Sequence, residues 1–230
     1  MTELEKFEFM IITSLFNVDQ SYYTTTYYNI QSFREALQGR LGKIKGDNFV
    51  RYGERVWCYE FYHQLRILID KERNLNLDYM KGAFFQGEVQ KMQIEQLVEA
   101  IGLDNMDGEY SPDFLMHSPG HKNNHAFVIE VKCENDLTER KFKNDIKKIN
   151  QFIESFNYKR GVFLAINAEP SRIERIIQNL NLNASVFNWR EEYSMDDRLL
   201  IEFLPDLNDQ KKISIICKED QQSEPVIWKI

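Results

Sequence analysis

Three side chains in this sequence have the types and spacing to hold a divalent cation and a phosphate. They are Asp113, which follows Pro112, and the acid and base of the string Glu130-Val131-Lys132. Asp113 heads the run Phe114-Leu115-Met116, and Glu130 closes Phe127-Val128-Ile129, both with strand character. Between them, residues 118–125 are rich in turn formers, among them Pro119, Gly120, Asn123 and Asn124. The natural reading is two antiparallel strands joined by a loop. Such a hairpin draws Asp113, Glu130 and Lys132 together, and Glu130 and Lys132, two residues apart, leave the same face of their strand.

These strings resemble the motif of the PD-(D/E)XK nuclease superfamily, the restriction-endonuclease-like fold, and in particular its small bacterial members. Flanking elements extend the likeness over residues 50–168. The letters alone are not selective. An acid, any residue and Lys recur at Glu139-Arg140-Lys141, Asp145-Ile146-Lys147 and Asp209-Gln210-Lys211, and a second Pro-Asp stands at Pro205-Asp206. That last pair belongs to one polar turn with no room for two strands, so strand context separates the candidate from the accidents.

The resemblance implies that Asp113 and Glu130 coordinate Mg²⁺, or Mn²⁺ as a substitute, together with the Val131 carbonyl and waters. It implies that Lys132 orients or helps deprotonate the attacking water and stabilises charge on the phosphorane. The expected activity is metal-dependent phosphodiester hydrolysis, that of a deoxyribonuclease and endonuclease, with RNA as the alternative substrate to DNA. The superfamily commonly draws one more acid from a helix ahead of the sheet. The string from Tyr59 to Arg66 resembles that helix, which makes Glu60 the leading third acid for both catalysis and metal binding. Glu88, on the expected first strand, competes for the same metal-facing role. A surface Glu60, or one paired with Arg66, is the bland alternative. There is no Gly-x-Ser-x-Gly elbow and no phosphate-cradling P-loop, which agrees with direct hydrolysis by water.

The elements that must position these residues read as follows. Residues 3–16 carry a helical stripe of Leu4, Phe7, Met10, Ile11 and Leu15. Residues 21–28 are aromatic and β-branched and suit a strand, and Ser32 opens a helix that ends near Gly42. Residues 54–70 form a helix with Trp57, Phe61, Leu65, Leu68 and Ile69 on one face. Strand character returns at residues 83–89 and helical spacing at 91–101. An acidic turn with Asp104, Asp107 and Glu109 lacks the twelve-residue calcium-loop pattern. His117, His121 and His125 stand four apart, but Pro119-Gly120 and Asn123-Asn124 deny them the helix that would make zinc-ligand spacing.

Residues 138–157 form the best helix of the second half. Arg140, Lys141, Lys143, Lys147 and Lys148 make it the one basic segment of an acidic chain, placed either to hold phosphates or to be solvated. A buried strand follows at 161–166, then a helix from Pro170, then short strands at 184–187, 199–204, 213–216 and 226–228. The resulting expectation is an α/β fold with an α-β-β-β-α-β core and a mixed central sheet. Residues 1–50 are a helical N-terminal extension, residues 51–182 the nuclease-like core and residues 183–230 the C-terminal strands that extend it.

Composition bounds the rest. The 230 residues are 43% hydrophobic, enough for one sizeable core. No apolar stretch reaches the ~18 residues of a membrane helix, so no membrane partner is expected. Cys58, Cys133 and Cys217, odd in number and without Cys-x-x-Cys spacing, read as reduced thiols of a cytoplasmic protein. A net charge of −7 argues against non-specific coating of nucleic acid, while an acidic site neutralised by metal remains compatible with a nuclease. Cutting two strands suggests a homodimer or a partner protein. The competing readings are a nuclease-like scaffold that binds nucleic acid or protein without catalysis, and a plain α/β domain whose motif is coincidental.

Overall fold

Hydrophobic spacing accounts for the longer elements of the computed structural model, which describes residues 3–23, 25–27, 49–51, 53–74, 83–87, 111–117, 125–188 and 212–230. Helix α1 (Glu3–Asn17) buries Phe7, Met10, Ile11, Ile12 and Leu15. Helix α3 (Glu54–Asn74) buries Trp57, Phe61, Leu65 and Ile69 at spacings of three and four. Helix α4 (Glu139–Phe156) starts where the Thr138 side chain accepts the Lys141 N–H and ends at Asn157, whose φ of 57° is left-handed. Helix α5 (Pro170–Asn179) has Pro170 in its first turn, where the missing N–H costs nothing.

The aromatic run at 21–28 is not one strand. Asp19 accepts the Ser21 N–H at 2.9 Å and starts a short helix α2 (Gln20–Tyr23). The buried Tyr23 hydroxyl then donates to the Leu15 carbonyl at 3.0 Å, so local capping and a tertiary hydrogen bond override strand propensity. Only β1 (Thr25–Tyr27) is extended, and it pairs antiparallel with β2 (Phe49–Arg51) in a separate two-stranded sheet.

The main sheet has seven strands: β3 (Phe84–Gly87), β4 (Phe114–His117), β5 (His125–Cys133), β6 (Arg160–Ile166), β7 (Ser185–Phe187), β8 (Ile213–Lys218) and β9 (Val226–Lys229). Their spatial order is β3-β4-β5-β6-β8-β9-β7. The first three are antiparallel, β5, β6 and β8 run parallel, and β9 and β7 are antiparallel again. The structure is therefore mixed α/β, with the element order α3-β3-β4-β5-α4-β6 among the described residues. A parallel β5–β6 pair needs a crossover, and α4 supplies it.

Side chains alternate across the sheet. Phe127, Ile129, Val131 and Cys133 join the layer made with α1 and α3, while Val128 joins the layer made with α4 and α5. On β6, Val162, Leu164 and Ile166 face the first layer and Phe163 and Ala165 the second, all fully buried, as a strand covered on both faces requires. Helix α1 is tied to the far end of the sheet by Glu8, which accepts from Lys229 Nζ at 2.5 Å and from the Ser214 hydroxyl. Among the described residues no helix is long and apolar enough to cross a membrane, and Cys58, Cys133 and Cys217 are not joined in disulfides. Glu88, the helices expected over 32–42 and 91–101, the acidic turn at 104–109, His121, the strand at 199–204 and the polar turn at 205–211 lie outside the described residues.

The seat of α4 on the sheet is set by Gly161, where an added Cβ would collide with Cγ2 of Ile149. Gly161→Ala should therefore destabilise the chain by about 1–3 kcal/mol through overpacking, read as a lower urea midpoint at unchanged m-value. An unchanged midpoint would mean that α4 is free to shift.

Candidate functional site

Asp113 stands one residue before β4, and its position follows from the ladder. Backbone pairing of β4 with β5 starts at Phe114 opposite Ile129, so Asp113 lies beside Glu130. Its Oδ2 accepts the Val131 N–H at 2.7 Å, so a side chain continues the pairing that the backbone has ended. Burial pushes its carboxyl above the ordinary value, opposed by that hydrogen bond and by the Lys132 charge.

Glu130 projects from the α4 side of β5, opposite to Ile129 and Val131, and is only 1% exposed. Lys148 of α4 reaches down and donates to its Oε2 at 2.7 Å. Its Oε1 is buried and has no hydrogen-bond partner among the described residues. Burial first, and the neighbouring Asp113 charge second, push the Glu130 carboxyl up to about 8 against the pull of Lys148. That coupling places Asp113 and Glu130 in one electrostatic unit.

Lys132, two residues on, donates to the Val131 carbonyl at 3.0 Å. It lies 3.7 Å from Glu54 Oε1 and 3.7 Å from Asp145 Oδ2, ion pairs too long for hydrogen bonds. Burial works against its charge, but Asp145, Glu54, Asp113 and Glu130 together push it up to about 12. Asp145 is itself buried in α4 and raised by that burial, 3.8 Å from Lys148. Four carboxylates thus surround two ammonium groups, which leaves an excess of negative charge at the end of β5.

The structure brings together Asp113, Glu130 and Lys132, which the sequence singled out, and adds two acids that it did not. Asp145, set aside as an accidental acid-x-Lys match, falls three after Phe142 and four before Ile149. A charged residue on an apolar stripe was the signal. Glu54 opens α3 and accepts the Cys133 N–H at 3.3 Å, an encounter that no sequence spacing announces. Glu60, expected as the third acid, instead accepts from Gln64 Nε2 at 2.6 Å. It follows Glu54 by six residues, about 9 Å of rise and roughly 240° of rotation, which turns it off the face that Glu54 presents. Arg66 pairs with Asp70 at 3.0 Å rather than with Glu60.

The basic helix divides as well. Arg140, Lys143 and Lys147 are exposed, and Lys141 pairs with Glu134 at 2.5 Å. Lys148 is withdrawn from the expected phosphate-facing surface, because the buried Glu130 claims it. His117 and His125 meet across the β4–β5 pair with ring centroids 6.0 Å apart, and His117 Nε2 contacts Gln86 Oε1 at 2.5 Å. Burial lowers both histidines, His117 to about 4 with His125 contributing.

Beside the acids lies an open cleft of about 430 Å³ lined by Glu54, Tyr59, Tyr62, Asp113 and Phe114 among others. No group of three or more His, Cys, Asp or Glu side chains among the described residues is arranged to hold a metal ion. Comparison with family models, with curated proteins and with solved structures gives no match.

A carboxyl raised on folding binds a proton that the unfolded chain has released, so its contribution to stability falls as pH rises between the two values. For Glu130 that window runs from 4.5 to about 8. In EDTA, the midpoint of urea unfolding should fall across this range, and Glu130→Gln should flatten the fall. A wild-type profile that rises through the window would refute the burial of an unrelieved carboxyl.

Proposed function

We propose that this chain is a metal-dependent phosphodiester hydrolase acting on nucleic acid, an endonuclease that cleaves DNA with Asp113, Glu130 and Lys132 at the site. One observation carries the reading: two acids from adjacent antiparallel strands and a lysine two residues from one of them converge beside an open cleft, with Glu130 Oε1 buried and unsatisfied. The order α3-β3-β4-β5-α4-β6 supports it, being the order that a restriction-endonuclease-like core would have.

The donor set fits Mg²⁺, which is held by one or two carboxylates and completes its shell with waters and substrate phosphates rather than with an all-protein cage. Asp113, Glu130 and the Val131 carbonyl would hold it, and Glu54 is the α3 acid nearest to them in the ion-pair network. The carbonyl now receives the Lys132 ammonium, so a cation already stands where oxygen donors converge. A metal held there would supply a water of lowered pKa and a Lewis acid for the scissile phosphate.

The chain's own residues do the rest. Lys132, pushed up to about 12 by the surrounding carboxylates, is placed as a donor that orients water and meets charge growing on the phosphate. Asp145 holds that ammonium in place, and Lys148 fixes the Glu130 carboxylate. The exposed Arg140, Lys143 and Lys147 are available to phosphates further along the strand.

Circular and linear DNA, with RNA alongside, should be cut in Mg²⁺ or Mn²⁺ and not in EDTA. Lys132→Ala should lower the rate by about 10²–10⁴-fold. Mg²⁺ should raise the melting temperature of wild type but not of Asp113→Asn. Absence of both cutting and the metal-dependent shift would sink the hydrolase and favour a non-catalytic scaffold that binds nucleic acid or a partner protein.

A further inference from the structure

The wall of the cleft is built from one face of α3. Arg55, Tyr59 and Tyr62 stand at spacings of four and three, so their side chains stack one above another along the helix. Tyr62 is fixed: its ring stacks on Phe85 at 5.1 Å and 17°, and lies 6.1 Å and 19° from Phe114, while its hydroxyl donates to the Phe85 carbonyl at 3.3 Å. Tyr59 is not covered in this way. At 61% exposure it is among the most exposed large apolar residues on the described surface, on the lip of a concave site. Glu54 and Asp113, the same carboxylates that border the acid–lysine cluster, also line the cleft.

Each wall selects. Planar aromatic faces favour a planar π-system, and the nucleobase is the planar part of a nucleic acid. Until a metal neutralises them, the carboxylates of the lining repel a phosphate but accept hydrogen bonds from exocyclic amino groups, as acidic side chains do from cytosine. Arg55 adds a cation to the lining. A base buried in a duplex cannot offer its face to Tyr59, so the occupant has to be unstacked.

We propose that the cleft beside Asp113 is a binding site for an unpaired, amino-bearing nucleobase, stacked on Tyr59 against the Tyr62–Phe114 wall. The site thus takes single-stranded or locally opened nucleic acid. The substrate class rests on the hydrolase reading above, since it is that reading which brings nucleic acid to this end of β5. Tyr59 is a binding residue here and takes no part in bond breaking.

The test uses the full chain in EDTA, with a short single-stranded oligonucleotide carrying a central 2-aminopurine and the same strand annealed to its complement. Binding of the single strand should quench the 2-aminopurine fluorescence, and the duplex should bind more weakly. Tyr59→Ala should weaken single-strand binding by about five- to a hundred-fold, and Tyr59→Phe should keep it, since the ring and not the hydroxyl is needed. Tyr59 is exposed, so Tyr59→Ala should keep its unfolding midpoint. Equal binding of duplex and single strand without quenching, an unchanged affinity in Tyr59→Ala, or no binding of either strand would overturn the base site. The two readings fail separately. Quenching without cleavage in any metal removes the hydrolase and leaves the base site, whereas Mg²⁺-dependent cleavage without quenching does the reverse.

Discussion

A carboxylate in the seam between a sheet and a helix is the constraint on which this structure turns. Glu130 is 1% exposed on β5 and cannot hold its charge there without a partner. Lys148 is that partner, and it can reach Oε2 only because α4 lies across this part of the sheet. The lie of α4 depends in turn on the close approach at Gly161 and on the apolar face running from Phe142 to Phe156. A slide of α4 by one turn, about 5.4 Å, would withdraw the lysine and leave a buried charge unpaired. Packing and electrostatics are therefore satisfied by the same docking, or not at all.

The compensation is incomplete, and its incompleteness gives the site chemical potential. Two ammonium groups answer four carboxylates, and burial raises Asp113, Glu130 and Asp145 by stripping solvation from their charged forms. Such an arrangement stores a preference for added positive charge. It costs stability in the free chain, a cost that a bound cation would relieve. Lys132 shows the other side of the same field: the negative charge of Asp145, Glu54, Asp113 and Glu130 holds it protonated against its burial.

The cleft adds a second kind of surface next to this field. Its aromatic wall is an extension of the core, since Tyr62 and Phe114 belong to the stack that includes Phe85 and Phe61. The rigidity of that wall is inherited from core packing, while Tyr59 at its edge remains open to solvent. Acids and aromatics meet here because α3 passes from the buried sheet face to the end of β5, where Glu54 bonds the Cys133 N–H.

How much of this was legible in the chain depends on the range of the interaction. Periodicity and turn chemistry are local, so α1, α3, α4 and α5, the β4–β5 hairpin and the buried strand β6 could be read from residues close in sequence. The hairpin carries Asp113 to Glu130, and two-residue spacing carries Lys132 with it. Where a local hydrogen bond outweighed propensity, as at Asp19 ahead of Gln20–Tyr23, composition misled. The tertiary structure alone decided which acid of α3 reaches the site. Glu54 and Glu60 share a helix, but only the docking angle of that helix on the sheet selects between them, and no periodicity encodes it. It also decided that Lys148 belongs to Glu130 rather than to solvent, and that Asp145 holds Lys132. These pairings join positions on separate elements, and their energies depend on burial, which a sequence does not possess until it folds.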